Sequence, residues 1–396
     1  MPKVDPDVEA FARIKVIGLG GSGGNAINHM IESKVKGVEF IVMNTDAQDL
    51  HHSLAKKKIH IGKTLTRGLG TGMNPETGRK AAEETKEEVQ NVIKGADMVF
   101  IACGMGGGTG TGSSSTVARI AREEGVLTVA IATKPFFFEG KNRMRIAEQG
   151  LAELKKEVDA LIIIPNDKLL GIVEKETTFK DAFSICDEVL RQAVEGISDL
   201  ITTPGIINVD FADIRSIMSN AGSALMGIGF ATGEKRAVEA AHAAINSPLL
   251  DISITGARGV LFAIAGGDDL TMHEIQEAAK VITESVDPEA RVIFGAIKDS
   301  KLKKDEVKVT VIASGFPEEG MNEPKNLEEK FGSHEKKEDS VIIREQQKTI
   351  KKEINNNISN SNQEPEITIR KKVESIDDDD DDDWNAIPAF LRRSKK

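Results

Sequence analysis

The sequence predicts an α/β protein. A Rossmann-like, mainly parallel sheet is followed by a long central helix, a second, smaller α/β unit and a disordered C-terminal tail. Three observations support this prediction. Short apolar runs alternate with helical patterns up to about residue 164, an unbroken amphipathic pattern covers 177–203, and 34 of the 36 glycines precede residue 317. Apolar runs alternating with helices are typical of strands buried on both faces of a parallel sheet.

The strands of the first unit are expected in five apolar segments: RIKVIGLG, EFIVMNTD, DMVFIAC, LTVAIAT and ALIIIP. The segment that follows places apolar side chains at steps of three and four, which predicts one long helix with a buried face. Beyond it the pattern predicts a helix over 214–226, a strand in IGFATG, a helix over 234–245 and then further strands. The expected divisions are an N-terminal extension 1–12, a first domain 13–176, the central helix 177–203, a C-terminal α/β domain 204–316, a linker 317–383 and a terminal peptide 384–396.

The composition of the tail cannot support a core. Residues 317–383 contain few apolar side chains and end in the seven consecutive aspartates Asp377–Asp383. The apolar area available for burial is too small to offset the ordering entropy, so we expect a disordered linker that reaches about 45 Å. Apolar and basic residues return in WNAIPAFLRRSKK, which is typical of a docking peptide.

Composition and charge exclude several classes of protein. The chain has 396 residues, a formal net charge of -11 and a pI of about 5.4, and an excess of acids argues against nucleic-acid binding. Two cysteines, Cys103 and Cys186, exclude a disulfide framework and favour a reducing compartment. No signal peptide or apolar run of 18 residues is present, so we expect a cytoplasmic protein without a transmembrane segment.

The first strand leads directly into GLGGSGGNAIN, residues 18–28, and then into a helix. Glycines let the backbone approach an anion, and a helix N-terminus adds a positive dipole. Gly18, Gly20 and Gly23 also satisfy the dinucleotide fingerprint, and Asp46 lies near the position of a ribose-binding acid. An NAD-dependent oxidoreductase is therefore one alternative.

A second glycine-rich loop, GMGGGTGTG over residues 104–112, lies between the strand DMVFIAC and a helix. The hydroxyls of Thr109 and Thr111 can donate where backbone amides do not reach. Plain tight turns rarely need so many glycines. We call each of these glycine-rich loops a cradle, because its backbone amides can surround an anion, and two cradles in one sheet are suited to binding a polyphosphate. The only GKT, at 62–64, has Lys57 in place of the first glycine of a P-loop, so a P-loop NTPase is excluded.

GMGGGTGTG is the tubulin-type signature. GLGGSGGNAIN, NTDAQDL, TRGLGTGMNPETGR, TKPFFFEGKNRM, NVDFADIRSIM and SPLLDISITGARGVL follow the order found in FtsZ, the bacterial cell-division branch of the tubulin family. The resemblance covers about residues 10–316, and WNAIPAFLRR is similar to the tail peptide of that family. It implies that 13–176 is a nucleotide-binding GTPase domain.

The resemblance implies a set of GTP or GDP contacts. They are Gly21, Ser22, Gly23, Gly24 and Asn25 on the first loop, Gly108, Thr109 and Gly110 on the second, Glu139 and Arg143 at the ribose, and Phe183 and Asp187 at the base. The residues alone favour a surface ion pair for Glu139 and Arg143, and a core role for Phe183. At positions i and i+4 of a helix, an aromatic ring can stack on a purine while a carboxylate accepts both guanine N–H protons, which adenine cannot supply.

The resemblance assigns hydrolysis to NVDFADI, which would enter the nucleotide site of the next subunit. Asn208, Asp210 and Asp213 would polarise the attacking water, with Mg²⁺ associated with the nucleotide. The residues alone favour a helix N-cap at Asp210 with a first-turn acid. A head-to-tail contact of this kind does not close on itself and generates a filament, a homopolymer.

The sequence departs from the family at three places. Ser113, Ser114 and Ser115 replace the usual Ala-Ala-Pro, Ser22 replaces a glycine, and Cys186 replaces an asparagine beside Asp187. For the three consecutive serines we expect altered nucleotide affinity and retained binding, and for Cys186 a change in the base contacts and in the nucleotide exchange rate. The histidines His51, His52 and His60 lack acids at ligand spacing, so no metal site made by protein residues is expected.

The resemblance thus implies a GTPase that polymerises into the division (Z) ring at midcell beneath the inner membrane. It implies attachment to membrane-anchored adaptors through residues 384–396, without direct nucleic-acid binding. A purely structural filament protein that holds GTP as a fixed ligand is the second alternative.

Overall fold

The computed structural model describes residues 12–170, 178–203, 205–247, 249–250, 254–299 and 302–316. Its strands are β1 (Ile14–Leu19), β2 (Val38–Asn44), β3 (Lys57–His60), β4 (Met98–Gly104), β5 (Leu127–Lys134), β6 (Ala160–Pro165), β7 (Gly222–Thr232), β8 (Gly259–Gly266), β9 (Arg291–Lys298) and β10 (Glu306–Ser314). Its α-helices are α1 (Gly20–Glu32), α2 (Ala47–His52), α3 (Lys63–Thr66), α4 (Pro75–Glu84), α5 (Lys86–Ile93), α6 (Thr109–Glu123), α7 (Lys141–Leu154), α8 (Asn166–Leu170), α9 (Phe179–Thr202), α10 (Phe211–Met218), α11 (Arg236–Ile245) and α12 (Met272–Glu284). A 3-10 helix, Phe137–Glu139, precedes α7.

The strands form one sheet in the order β3-β2-β1-β4-β5-β6-β7-β10-β8-β9. Neighbours from β3 to β7 are parallel, β10 is antiparallel to β7 and β8, and β9 is parallel to β8. The α/β class with a mostly parallel sheet is confirmed. The second unit continues the first sheet through the β6–β7 pair. We call the edge where β1, β2, β4, β5 and β6 end the carboxyl edge, and the opposite one the amino edge.

The predicted central helix is α9, whose 24 residues span about 36 Å at 1.5 Å per residue. Leu190, Val194 and Ile197 on its buried face have no exposed surface, and burial of each such side chain contributes about 1.5–3 kcal/mol. They belong to a core cluster that includes strands of the first unit and Ile312 of β10. α9 therefore packs against both parts of the sheet.

One predicted helix is wrong for more than half of its residues. The pattern over 214–226 predicted a single helix, but α10 ends at Met218 and β7 begins at Gly222. Asn220 and Gly222 adopt left-handed φ angles of 52° and 68°. Such a conformation ends a right-handed helix, and asparagine and glycine are the residues that tolerate it.

Part of the sequence-based division cannot be compared with the fold. Residues 1–11, 171–177, the linker 317–383 and the peptide 384–396 lie outside the described residues. Among the residues that are described, no helix combines the length and apolar character needed to cross a bilayer.

Candidate nucleotide site

Two glycine-rich loops meet at the carboxyl edge. β1 and β4 are parallel neighbours, and each is followed by a helix. A Cβ on Gly23 would overlap the carbonyl oxygen of Ala102, and a Cβ on Gly20 would lie 3.0 Å from the backbone nitrogen of Gly110. Gly23 therefore lets α1 pack against β4, and Gly20 lets the starts of α1 and α6 approach each other closely.

The first turns of α1 and α6 have features that favour the binding of an anion. Their N-cap residues, Leu19 and Gly108, provide no side-chain cap, and neither first turn contains an acid. The backbone amides therefore have no capping side chain, and two positive helix ends point to one place. The structure places all eight expected phosphate residues at the starts of these two helices. They are Gly21, Ser22, Gly23, Gly24 and Asn25 in the first two turns of α1, and Gly108, Thr109 and Gly110 at the start of α6.

The Thr109 hydroxyl connects three segments of the site. Its Oγ1 lies 2.7 Å from Thr45 Oγ1, just after β2, and 3.3 Å from Thr71 Oγ1. These hydrogen bonds fix the second glycine loop against two neighbouring loops. A threonine at this position thus has a role in shaping the cradle before any ligand binds.

The loop over residues 67–74 is a part of the site that sequence reasoning missed. A Cβ on Gly108 would overlap Thr71, so this loop lies against the second cradle. Left-handed φ angles occur at Arg67, Gly68, Gly70, Gly72 and Met73. Alternating glycines at 68, 70 and 72 were the available signal, because loops of this kind turn backbone amides towards an anion.

Two carboxylates, Asp46 and Asp49, lie at the end of β2 beside the first glycine loop. Asp49 Oδ2 accepts a hydrogen bond from Asn44 Nδ2 at 2.6 Å and would lie 3.7 Å from a Cβ on Gly21. Burial, and then the charge of Asp46, raises the pKa of Asp49. A cation bound to phosphates would relieve this repulsion, and Mg²⁺ at nucleotide sites uses one or two carboxylates. The described residues contain no group of three or more His, Cys, Asp or Glu that could hold a metal.

Glu139 and Arg143 form more than a surface ion pair. Arg143 Nη1 lies 3.0 Å from Glu139 Oε2, and the Glu139 side chain is only 13% exposed. Glu139 Oε1 also accepts a hydrogen bond from the backbone nitrogen of Phe136 at 2.8 Å. A Cβ on Gly106 would lie 2.7 Å from Arg143 Cγ, so the arginine covers the second glycine loop. Its Nε is buried without a partner among the described residues.

Phe183 and Asp187 lie one turn apart on α9. The ring of Phe183 contacts Phe136 edge-on at 5.2 Å, and Phe136 stacks on Phe138 at 4.9 Å. Burial raises the pKa of Asp187 to about 6, and nearby His29 opposes this shift. Within the described part of the chain Asp187 is half-buried and makes no hydrogen bond. A half-buried carboxylate without a donor beside an aromatic ring is suited to a ligand that carries N–H groups.

Asn166, like the loop over residues 67–74, was not predicted from the sequence as part of the site. It begins α8 directly after β6, and only 5% of it is exposed. Its Oδ1 is buried and has no hydrogen-bond partner among the described residues. Because α8 packs on α9, this acceptor lies in the region of Phe183 and Asp187. A single asparagine after a strand gives no sequence signal that could have identified it.

Asn208, Asp210 and Asp213 lie away from the glycine loops. α9 starts at the carboxyl edge and ends near the amino edge, where Gly37 contacts Thr202, so these residues follow at the far end of a helix of about 36 Å. Asp210 is the N-cap of α10, but its side chain makes no capping hydrogen bond. Asn208 Oδ1 accepts from the Gly205 nitrogen at 2.7 Å. Within one chain this trio therefore cannot reach the candidate nucleotide site.

The dinucleotide fingerprint is explained by packing. A Cβ on Gly18 would overlap the carbonyl oxygen of Gly23, so these glycines are needed for the close approach of β1 and α1. Asp46 Oδ1 caps α2 by accepting from the backbone nitrogens of Gln48 and Asp49. Neither feature requires a dinucleotide.

Comparisons with known proteins agree with this geometry. The GTPase domain of the Tubulin/FtsZ family matches residues 13–174, and the C-terminal domain of the FtsZ family matches residues 222–317. An empty FtsZ dimer from M. jannaschii is 48% identical over 77% of this chain and 88% of that one, with a TM-score of 0.74. A mutant of M. jannaschii FtsZ is also 48% identical, over 77% of this chain and 92% of that one, with a TM-score of 0.74.

A more distant structure shares the fold. CetZ2 from Haloferax volcanii, solved as a GTPgS-bound protofilament, is 20% identical over 77% of this chain and 94% of that one, with a TM-score of 0.66. The two family matches and the identity to FtsZ establish the relationship. This chain therefore belongs to the tubulin/FtsZ family and is a GTPase.

Proposed function

We propose that this protein polymerises head to tail, in a GTP-dependent manner, into filaments that form the division ring of a bacterial cell. One observation carries the proposal. The glycine loops lie at the carboxyl edge, whereas Asn208, Asp210 and Asp213 follow the far end of α9, a helix about 36 Å long. A second copy that places its amino edge on the carboxyl edge of the first would complete the site.

One subunit would bind the nucleotide. The amides at the starts of α1 and α6 bind the phosphates, Glu139 and Arg143 bind the ribose, and Phe183 stacks on the base. Asp187 accepts both N–H protons of guanine, which satisfies a carboxylate that has no other donor among the described residues. Asp46 and Asp49 would hold Mg²⁺, which neutralises charge on the phosphates when it is bound.

The neighbouring subunit would supply the groups that act on water. Asp210 and Asp213 are exposed, and the Asp210 carboxylate is not engaged as a helix cap. Both carboxylates can therefore accept hydrogen bonds from a water molecule and orient it towards the terminal phosphate, with Asn208 beside them. The amides of the glycine loops stabilise the charge that spreads over the phosphate oxygens.

Exposed apolar side chains at both edges support assembly. Leu69 is 85% exposed and Phe137 72% exposed at the carboxyl edge, and Ile206 is 59% exposed beside Asn208 at the other end. Burial of such side chains favours association. A contact between different surfaces of identical copies continues as a filament.

Residues 317–383 and 384–396 would connect the filament to the membrane. The acidic linker provides reach, and the apolar and basic peptide binds membrane-anchored adaptors at midcell beneath the inner membrane. This part of the proposal depends on composition alone, because both segments lie outside the described residues.

The proposal is tested by measuring GTP turnover per molecule against protein concentration. Turnover should rise steeply where sedimentation first detects polymer, because each new contact completes one site. Constant turnover from dilute to concentrated protein would contradict the shared site. Polymer without turnover would identify a structural filament that holds GTP as a fixed ligand.

A further inference from the structure

Two fully buried hydroxyls lie behind the second glycine loop. Ser113 and Ser114, in the second turn of α6, have no exposed surface. Ser113 Oγ donates to the carbonyl oxygen of Thr109 at 2.7 Å, and Ser114 Oγ donates to that of Thr111 at 3.1 Å. Both acceptors belong to the loop that forms the cradle.

Each of these threonines also holds another part of the site. Thr109 Oγ1 contacts Thr45 Oγ1 at 2.7 Å, and Thr111 Oγ1 accepts from the backbone nitrogen of Gly106 at 2.9 Å. Gly106 in turn lies beneath Arg143. The two serine hydroxyls therefore bond to residues that, through their own side chains, also bond to other parts of the site.

We propose that Ser113 and Ser114 are positioning residues for nucleotide binding. By holding the carbonyl group of Thr109, Ser113 fixes the peptide unit whose amide, that of Gly110, lies in the first turn of α6. By holding the carbonyl group of Thr111, Ser114 fixes the residue whose hydroxyl accepts the Gly106 amide and so positions the preceding part of the loop. A cradle that is ordered before binding loses less conformational entropy when the nucleotide enters, and it retains the ligand longer. This inference rests on the proposed binding of GTP at the glycine loops.

The neighbouring residue provides a matched control. Ser115 lies in the same turn of α6, is half-buried, and makes no hydrogen bond through its hydroxyl among the described residues. A buried serine often bonds to the carbonyl one turn back simply to satisfy its hydroxyl. If that were the only role here, Ser113→Ala and Ser114→Ala would behave like Ser115→Ala towards nucleotide. Alanine favours the helix in all three variants.

The experiment measures the dissociation rate of a fluorescent GTP analogue from the full-length chain at a concentration below assembly. We expect Ser113→Ala and Ser114→Ala each to raise the rate about three- to tenfold, the range covered by loss of one hydrogen bond. The double variant should exceed either one, and Ser115→Ala should stay within about twofold of the original chain. Amide hydrogen exchange of residues 106–112, without nucleotide, should increase in Ser113→Ala, in Ser114→Ala and in the double variant, and should not increase in Ser115→Ala.

Equal dissociation rates and equal exchange in all three variants would overturn the inference. If the melting temperature of a variant shows that it is unfolded, the Ser113→Cys and Ser114→Cys variants replace it. Cysteine keeps the side chain's shape but donates weakly, so their rates should again exceed that of Ser115→Cys. Failure of the original chain to bind GTP would refute the proposed function instead, which keeps the two outcomes distinguishable.

Discussion

His29 Nε2 lies 3.0 Å from Glu188 Oε2, so α1, which begins in the first glycine loop, is connected to α9 beside Asp187. Burial would raise the pKa of Glu188, but hydrogen bonds from Arg191 and His29 lower it to about 2. Glu188 is therefore ionised at neutral pH. Its neighbour Asp187 has no hydrogen bond within the described residues and a pKa raised to about 6 by burial. Glu188 thus already accepts hydrogen bonds from protein groups, whereas the adjacent Asp187 can still accept hydrogen bonds from a ligand.

Asp187→Ala should weaken the preference for guanine over adenine. The carboxylate is the group that would accept the N1 and N2 protons of guanine, and adenine offers neither. A site built to hydrogen-bond a group of its ligand rejects an analogue that lacks this group by about 10⁴- to 10⁵-fold. Competition between GTP and ATP for a fluorescent analogue measures the ratio. An unchanged ratio would show that another group, with Asn166 the first to examine, recognises the base.

GTP affinity should fall as the pH drops through about 6, because protonation of Asp187 removes the acceptor that guanine needs. The raised pKa of Asp187 also makes the stability of the fold depend on pH. The folded-state pKa lies above 3.8, so the folded chain holds this proton more tightly, and the contribution of Asp187 to stability falls as pH rises from about 4 to 6. Titration of GTP binding from about pH 5 to 8 checks the first effect. In Asp187→Asn the fall in GTP affinity near pH 6 should be absent.

Asp210→Ala should retain GTP binding and lose hydrolysis by about 100-fold or more, the usual cost of removing a group that acts in the transition state. The matched control is Asp268→Ala, which removes an exposed carboxylate whose partner is Lys298. Filter binding and phosphate release measure the two properties. Normal phosphate release by Asp210→Ala would eliminate the shared-site mechanism.

Ile206→Lys should prevent assembly while single chains still bind GTP. The substitution places a charge on an exposed apolar side chain that the head-to-tail contact would bury, where an unpaired charge is costly. Sedimentation with GTP measures polymer, and equilibrium binding in dilute solution confirms that the variant is folded. Polymer at the original yield would place the contact elsewhere.

Deletion of residues 384–396 should leave GTP turnover and assembly unchanged and abolish attachment to membrane-anchored adaptors. Trp384 is the only tryptophan of the chain, so its fluorescence reports this peptide without labelling. The signal should respond to an adaptor and remain constant during polymerisation. A large change on assembly alone would contradict the proposed tether.

Much of the fold follows from local patterns. The apolar runs of β1, β4 and β5 and the three- and four-residue spacing of α9 require burial wherever they lie, so they could be predicted without a partner. The two glycine loops were also evident, because few structures other than an anion cradle need so many glycines between a strand and a helix. The end of α10 was missed because the left-handed turn at Asn220 and Gly222 interrupts a pattern that otherwise remains helical.

The sequence by itself therefore determined the α/β class, the long helix and the two cradles, since each depends on residues close together in the chain. Only the tertiary structure decided which distant groups meet. Parallel pairing of β1 with β4 brings the two cradles together, Thr71 reaches Thr109 across the sheet edge, and Asn166 Oδ1 is buried without a partner among the described residues. It also decided that Asp210 lies at the opposite edge from Gly108, because the direction and length of α9 fix that separation and spacing along the chain does not.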